Sequence, residues 1–386
     1  MKSKGSQSAG EVVKKTRMTS DAIIVPDAVF DGNRLLTGVG VRVSQDAVTV
    51  VSSYDSDRAE RVKGVLSPGF FDVQVNGGGG FLFNSDQTIE ALSQIASAHR
   101  RAGTTKFLPT VITDRPEVTA GAVETILRAY GSNGICGIHI EGPHISLARR
   151  GTHKAEFVRP LDQHTFNLVK RLRSNGVPTM ITVAPEAVSS GQIKNLVGQG
   201  VVVALGHSDA TAAQTRSALS EGAQTFTHLF NAMSPMTNRE PGVTGAAIAS
   251  NAYCSVICDG IHVAPMMLDI AIRARPQKDR MILVTDAMPT VGGPDTYSLY
   301  GQTISLKDGR LVNSEGALAG AHVTMLQSVA FAVRTLKQSP EDALRMAITN
   351  PARLMRLEDE VRLENTSPSD LVLIDSEWEE LTFPLA

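Results

Sequence analysis

Hydrophobic residues in the middle of the chain gather into eight short continuous runs, at 69–75, 105–112, 135–141, 178–184, 201–207, 223–229, 253–259 and 281–286. Runs of that length without polar alternation suit strands buried on both faces. Between most of them the apolar spacing becomes that of an amphipathic helix. Segment 89–102 carries it and meets Gly103 as a C-cap. Asp114-Arg115-Pro116-Glu117 opens the next helix, with proline in its first turn, and 161–175, 210–221 and 266–275 follow. Eight strands separated by helices predict an α/β fold, a (β/α)8 TIM barrel, with a doubly wound sheet as the competitor. After the eighth run, 297–312 predicts a hairpin turning at Lys307-Asp308-Gly309, and 321–337 and 340–356 predict closing helices.

The two ends have a different texture. Ala22-Ile23-Ile24-Val25 and Val39-Gly40-Val41-Arg42-Val43 are strand candidates with Asp31-Gly32 as a turn between them, and Leu371-Val372-Leu373-Ile374 is similar. We therefore expect a small β-sandwich domain formed from both termini, 21–64 plus 366–386, beside a barrel domain at 65–365. Residues 1–20 are polar and basic, lack a signal-peptide core, and are expected to form a disordered tail.

Bulk properties remove several function classes. A net charge of −2 over 386 residues offers no field for nucleic acid or a membrane surface. No apolar run reaches the ~18 residues of a membrane span. Cys136, Cys254 and Cys258 all lie in apolar runs and make no disulfide framework, which predicts buried thiols and a cytoplasmic compartment. The run Gly77-Gly78-Gly79-Gly80 lacks the Lys-Ser/Thr of a phosphate loop and predicts close backbone packing.

Four strand candidates end on groups that carry chemistry: Glu141, His207, His228 and Asp286. In a barrel these positions share the catalytic rim. Two neutral imidazoles and one carboxylate leave a divalent cation with residual positive charge and an open coordination position. Asp286 is then free to take and return a proton, although aspartate also caps helices. Such a ligand set suits zinc foremost, with iron, cobalt and manganese as alternatives.

These residues sit in longer motifs. They are Pro68-Gly69-Phe70-Phe71-Asp72-Val73-Gln74-Val75-Asn76-Gly77, His139-Ile140-Glu141-Gly142-Pro143, Gly151-Thr152-His153-Lys154, Leu205-Gly206-His207-Ser208-Asp209-Ala210, Thr227-His228-Leu229-Phe230-Asn231-Ala232-Met233, Asp259-Gly260-Ile261-His262, Val284-Thr285-Asp286-Ala287 and Leu318-Ala319-Gly320. Together they resemble the N-acetylglucosamine-6-phosphate deacetylases of the amidohydrolase superfamily, over about 20–375.

The resemblance implies metal-dependent release of acetate from N-acetylglucosamine-6-phosphate, in amino-sugar catabolism or cell-wall recycling. The galactosamine epimer, or a cyclic amide, is the alternative substrate. It implies one divalent metal per subunit on Glu141, His207 and His228, and Asp286 as acid and base. His153 would contact the acetamide or sugar and could donate to the developing oxyanion. Asn231, Ala232, Arg239 and His262 would serve the phosphate. Arg239 would reach across a homodimer (or dimer-of-dimers) interface. Two-metal relatives carry a His-x-His pair on the first strand, where this chain has Gln74 and Asn76, so no second metal site is expected. The chain differs from the family's usual pattern in its longer N-terminal stretch and in closing at Phe383-Pro384-Leu385-Ala386.

Overall fold

The computed structural model describes residues 22–44, 47–55, 57, 59–313, 316 and 318–385. The expected tail at 1–20 lies outside them. Eight parallel strands form the centre: β1 (Phe70–Val75), β2 (Thr104–Ile112), β3 (Ile138–Glu141), β4 (Thr179–Val183), β5 (Val202–Leu205), β6 (Thr225–Phe226), β7 (Tyr253–Ile257) and β8 (Met281–Val284). They pair in chain order from β1 to β8, and each falls in one of the eight apolar runs, except that β2 starts one residue ahead of its run, at Thr104. Apart from Lys106 in β2 their residues are buried, which is why the runs do not alternate.

The ring closes differently from the other seven joins. Between β8 and β1 there is no ladder, only a parallel bridge from Val75 to Ala287. Asp286 N donates to Gln74 O at 3.0 Å, and Asn76 N to Ala287 O at 3.0 Å. The barrel is therefore joined at its seam by residues that belong to the site.

Helices cover the outside. In Ile89–Arg100, Thr88 accepts from Ala91 N as N-cap, and Leu92, Ile95, Ala96 and His99 form the buried face. That helix stops at Arg100, ahead of Gly103, whose φ of +86° turns the chain into β2. Pro116–Ala129, Gln163–Ser174, Ala212–Ser220 and Pro265–Ala274 match the sequence pattern. Gln192–Gly198 and Gly242–Ile248 are additional helices. The predicted hairpin is part of a four-stranded antiparallel sheet, Thr296–Leu299, Gln302–Lys307, Arg310–Val312 and Leu318–Ala321. Its last strand meets the end of β8, with Ala321 N donating to Asp286 O at 3.0 Å.

Beside the barrel lie two small sheets. One holds Ala22–Val25, Gly40–Val43, Val48–Val51 and Ala59–Arg61. In the other, Leu371–Ile374 pairs antiparallel with Val65–Pro68, so the C-terminal segment completes a sheet begun by the N-terminal one. Ile24, Val29, Val41, Leu66, Leu363 and Leu371 pack between the sheets.

Candidate metal centre

Glu141 ends β3, and His207 and His228 stand just past β5 and β6. The parallel register brings all three to one rim, where their ligand atoms lie within 4.8 Å of one another. His207 Nε2 and His228 Nε2 are 3.1 and 3.0 Å from Glu141 Oε1, and 3.1 Å from each other. His207 Nδ1 donates to Arg149 O at 3.0 Å, which leaves the Nε2 lone pair facing the cluster. Two imidazole nitrogens and a carboxylate oxygen converging this way fit a divalent cation.

The backbone at these positions is unusual. His207, His228 and Asp286 have φ of +47°, +32° and +50°, and Phe230 and Ala232 have +79° and +51°. Non-glycine residues held there cost on the order of 1 kcal/mol each and collect at functional sites. Here the left-handed turn is what swings each side chain over the rim instead of along its strand.

Asp286 faces the cluster. Gln74 Nε2 donates to Glu141 Oε2 and to Asp286 Oδ1, both at 3.1 Å, and Asn76 Nδ2 donates to Asp286 Oδ1 at 2.6 Å. The two amides thus bond the site's carboxylates rather than the loop. No helix begins at Asp286, so the capping alternative has nothing to cap.

Charge is partitioned between the two carboxylates. Burial works to raise Glu141, but the close approach of the His207 and His228 rings outweighs it, holding Glu141 well below the usual carboxylate range. Burial and the neighbouring Glu141 charge push Asp286 up to about 6, against the pull of His228 and the Asn76 bond. His153 is driven down to about 3, first by burial and then by His207.

A cavity of about 350 Å³ opens above this rim, in the range of small-molecule sites. Asn76, Glu141, His153, His207, Asn231, Ala232, His262 and Asp286 line it. Arg149, Met288, Leu318 and Gly320 are also in its wall. His262 Nδ1 donates to Asp259 Oδ2 at 2.7 Å. Arg239 does not line this cavity; it sits on an exposed turn. A larger cavity, about 830 Å³, lies between Asn84, Asp114, Lys154 and Tyr300. It has none of the clustered ligands, and the chemistry belongs to the smaller one.

Sequence reasoning did not single out Thr113, Arg149 or Tyr300. Thr113 Oγ1 lies 2.7 Å from His153 Nδ1 and donates to Glu141 O at 3.3 Å. Tyr300, from the inserted sheet, donates to Thr113 O. Nothing local in the sequence marks these contacts, because each joins segments far apart in the chain.

A barrel with such ligands at its strand ends defines a class, and the comparisons agree. Residues 65–385 match the amidohydrolase family, and the chain belongs to that family of metal-dependent hydrolases. It is 38% identical to the N-acetylgalactosamine-6-phosphate deacetylase of Shewanella sp. (strain ANA-3), over 85% of this chain and 84% of the relative. It is 35% identical to the N-acetylglucosamine-6-phosphate deacetylase of Haemophilus influenzae (strain ATCC 51907 / DSM 11121 / KW20 / Rd), over 76% and 78%. Among solved structures it is similar to a variant N-acetyl-D-glucosamine-6-phosphate deacetylase from Mycobacterium smegmatis bound to N-acetyl-D-glucosamine-6-phosphate. That match has a TM-score of 0.84 and 32% identity, and covers 93% of this chain and 96% of the other.

Proposed function

We propose that this chain hydrolyses the acetamide of N-acetylglucosamine-6-phosphate to glucosamine-6-phosphate and acetate. The observation that carries the reading is the convergence of Glu141, His207 and His228 opposite an Asp286 carboxylate held by Gln74 and Asn76. A relative bound to that phosphosugar supports the substrate class.

Glu141, His207 and His228 would hold one divalent cation, zinc in the first instance. When bound, that cation supplies Lewis acidity toward the amide carbonyl and the attacking water. Asp286 takes a proton from the water as its oxygen bonds the carbonyl carbon. It then delivers that proton to the nitrogen as the C–N bond breaks, leaving acetate and a free amine. A carboxylate raised toward neutrality is a better proton carrier in both directions than an ordinary one.

His153 takes a different task from oxyanion donor. Thr113 Oγ1 donates to Glu141 O, so it accepts from His153 Nδ1, and the neutral His153 ring turns a lone pair on Nε2 to the cavity. That acceptor suits the acetamide N–H or a sugar hydroxyl.

Asn231, Ala232 and His262 line the same cavity and bind the sugar phosphate. Arg239, exposed and outside its own cavity, serves the cavity of a second copy in a homodimer. The buried free thiols support a cytoplasmic setting. The amides of Gln74 and Asn76, spent on the two carboxylates, support a single metal per subunit.

The relative with the galactosamine name favours a second reading, the epimeric phosphosugar. Acetate release from both 6-phosphates and from the unphosphorylated sugars tests the assignment. Turnover confined to the phosphorylated pair, with the glucosamine form faster, is expected. A faster galactosamine form selects the second reading, and equal turnover of unphosphorylated sugar overturns the phosphate role.

A further inference from the structure

Asp72 is fully buried in β1, and the chemistry above does not use it. Its Oδ2 accepts from Thr285 Oγ1 at 2.5 Å and from Thr285 N at 3.2 Å, and its Oδ1 accepts from Gln74 N at 3.0 Å. All of these donors are neutral. The Thr285 amide, which elsewhere in the barrel would meet a strand carbonyl, meets a side chain here. This happens at the one join that has no ladder. A buried carboxylate bonded only to neutral groups is a costly way to join two strands, so its presence calls for a specific task. Thr285 immediately precedes Asp286, and Gln74 both gives its amide N–H to Asp72 and holds the Asp286 carboxylate.

We propose that Asp72 is a positioning residue for Asp286: through Thr285 and Gln74 it sets the β1–β8 seam, and with it the place of the Asp286 carboxylate over the metal ligands. This rests on the proton-transfer role given to Asp286. Asp286 leaves the strand at a φ of +50°, so its direction depends on how the preceding residue is held. A displacement of about 1 Å at a reacting group can cost on the order of 100-fold in rate.

The test uses the full metal-loaded chain with Thr285→Val, which keeps shape and loses the Oγ1 donor, and Thr285→Ser, which keeps the donor. The expected result for Thr285→Val is a kcat on N-acetylglucosamine-6-phosphate lower by roughly 10- to 100-fold. KM and metal content stay at wild-type values, and Thr285→Ser retains most of the rate. A Thr285→Val protein with wild-type kcat overturns the proposal, as does a parallel loss of rate and metal, which would mean general collapse of the site. A crystal structure of Thr285→Val gives a readout independent of substrate. An Asp286 carboxylate moved away from Asn76 Nδ2 supports the proposal, and an unmoved one overturns it. Failure of the wild-type protein on every phosphosugar would count against the substrate reading alone, and the crystal readout would still decide the positioning role.

Discussion

Asn76 Nδ2 donates to Asp286 Oδ1 across 2.6 Å, linking the loop after β1 to the carboxylate after β8. The bond is made to an ionised acceptor and so stabilises the charged form of Asp286. Asn76→Ala should raise the pKa of Asp286 and move the acid limb of kcat upward by about one pH unit, since one such bond is worth about 1.5–3 kcal/mol. A pH–rate profile measures this, and an unmoved limb would show that the amide does not set the base.

The wild-type profile has a sign of its own. Asp286 must be ionised to accept a proton, and burial with the Glu141 charge raises it to about 6. Activity should therefore be lost as pH falls through that region. A bound cation favours the carboxylate, so the midpoint should lie at or below about 6. Glu141, held well below the usual carboxylate range, keeps its charge through the same window. Rates recorded from pH 4 to 8 with metal content followed alongside would check this, and an undiminished rate at pH 4 would refute the assignment.

Asp72 makes a stability prediction of the opposite kind. Burial raises it to about 7 from an ordinary 3.8, opposed by the Thr285 bonds. The folded state then binds more protons than the unfolded one between those values, so its contribution to stability is complete below the unfolded pKa and is lost as pH rises toward 7. Asp72→Asn should remove that slope. The gap in denaturant midpoint between variant and wild type should shift in the variant's favour from about pH 4.5 to about pH 7.5. A gap that does not change with pH would show that Asp72 carries no such penalty.

His207 joins the loop at Arg149 to the metal cluster through its two ring nitrogens. His207→Ala removes a ligand and should leave well under one metal per chain after dialysis. Thr113→Val removes the partner of His153 and a long bond to the Glu141 backbone carbonyl, but no metal ligand, and should keep the metal while raising KM by several-fold. Elemental analysis and steady-state kinetics on the two variants separate holding the metal from holding the substrate, and equal metal loss in both would merge the two roles.

Much of the barrel was legible because its strands are buried on both faces and so appear as unbroken apolar runs. The chemistry was legible because strands in register must bring their end residues to one rim. What escaped the sequence depends on ring closure or on backbone turns. Gln74 and Asn76 look like loop amides until β8 comes round to place Asp286 beside them. The left-handed φ of His207, His228 and Asp286 has no signature, since none of them is glycine. Gln192–Gly198 escaped because it is short and bounded by Gly191 and Gly198. The inserted sheet turns also at Tyr300-Gly301, and an aromatic residue there hides the turn that brings Tyr300 to Thr113. Arg239 was identified from the family resemblance alone, and its exposed turn keeps it out of its own cavity.

The central claim is that Glu141, His207 and His228 hold one metal ion that deacetylation requires. The most direct measurement is acetate release from N-acetylglucosamine-6-phosphate as stripped protein is titrated with zinc. The account predicts negligible release at first, then a linear rise that ends at one equivalent per chain. Full activity in the stripped protein, or a rise that continues to two equivalents, would contradict it.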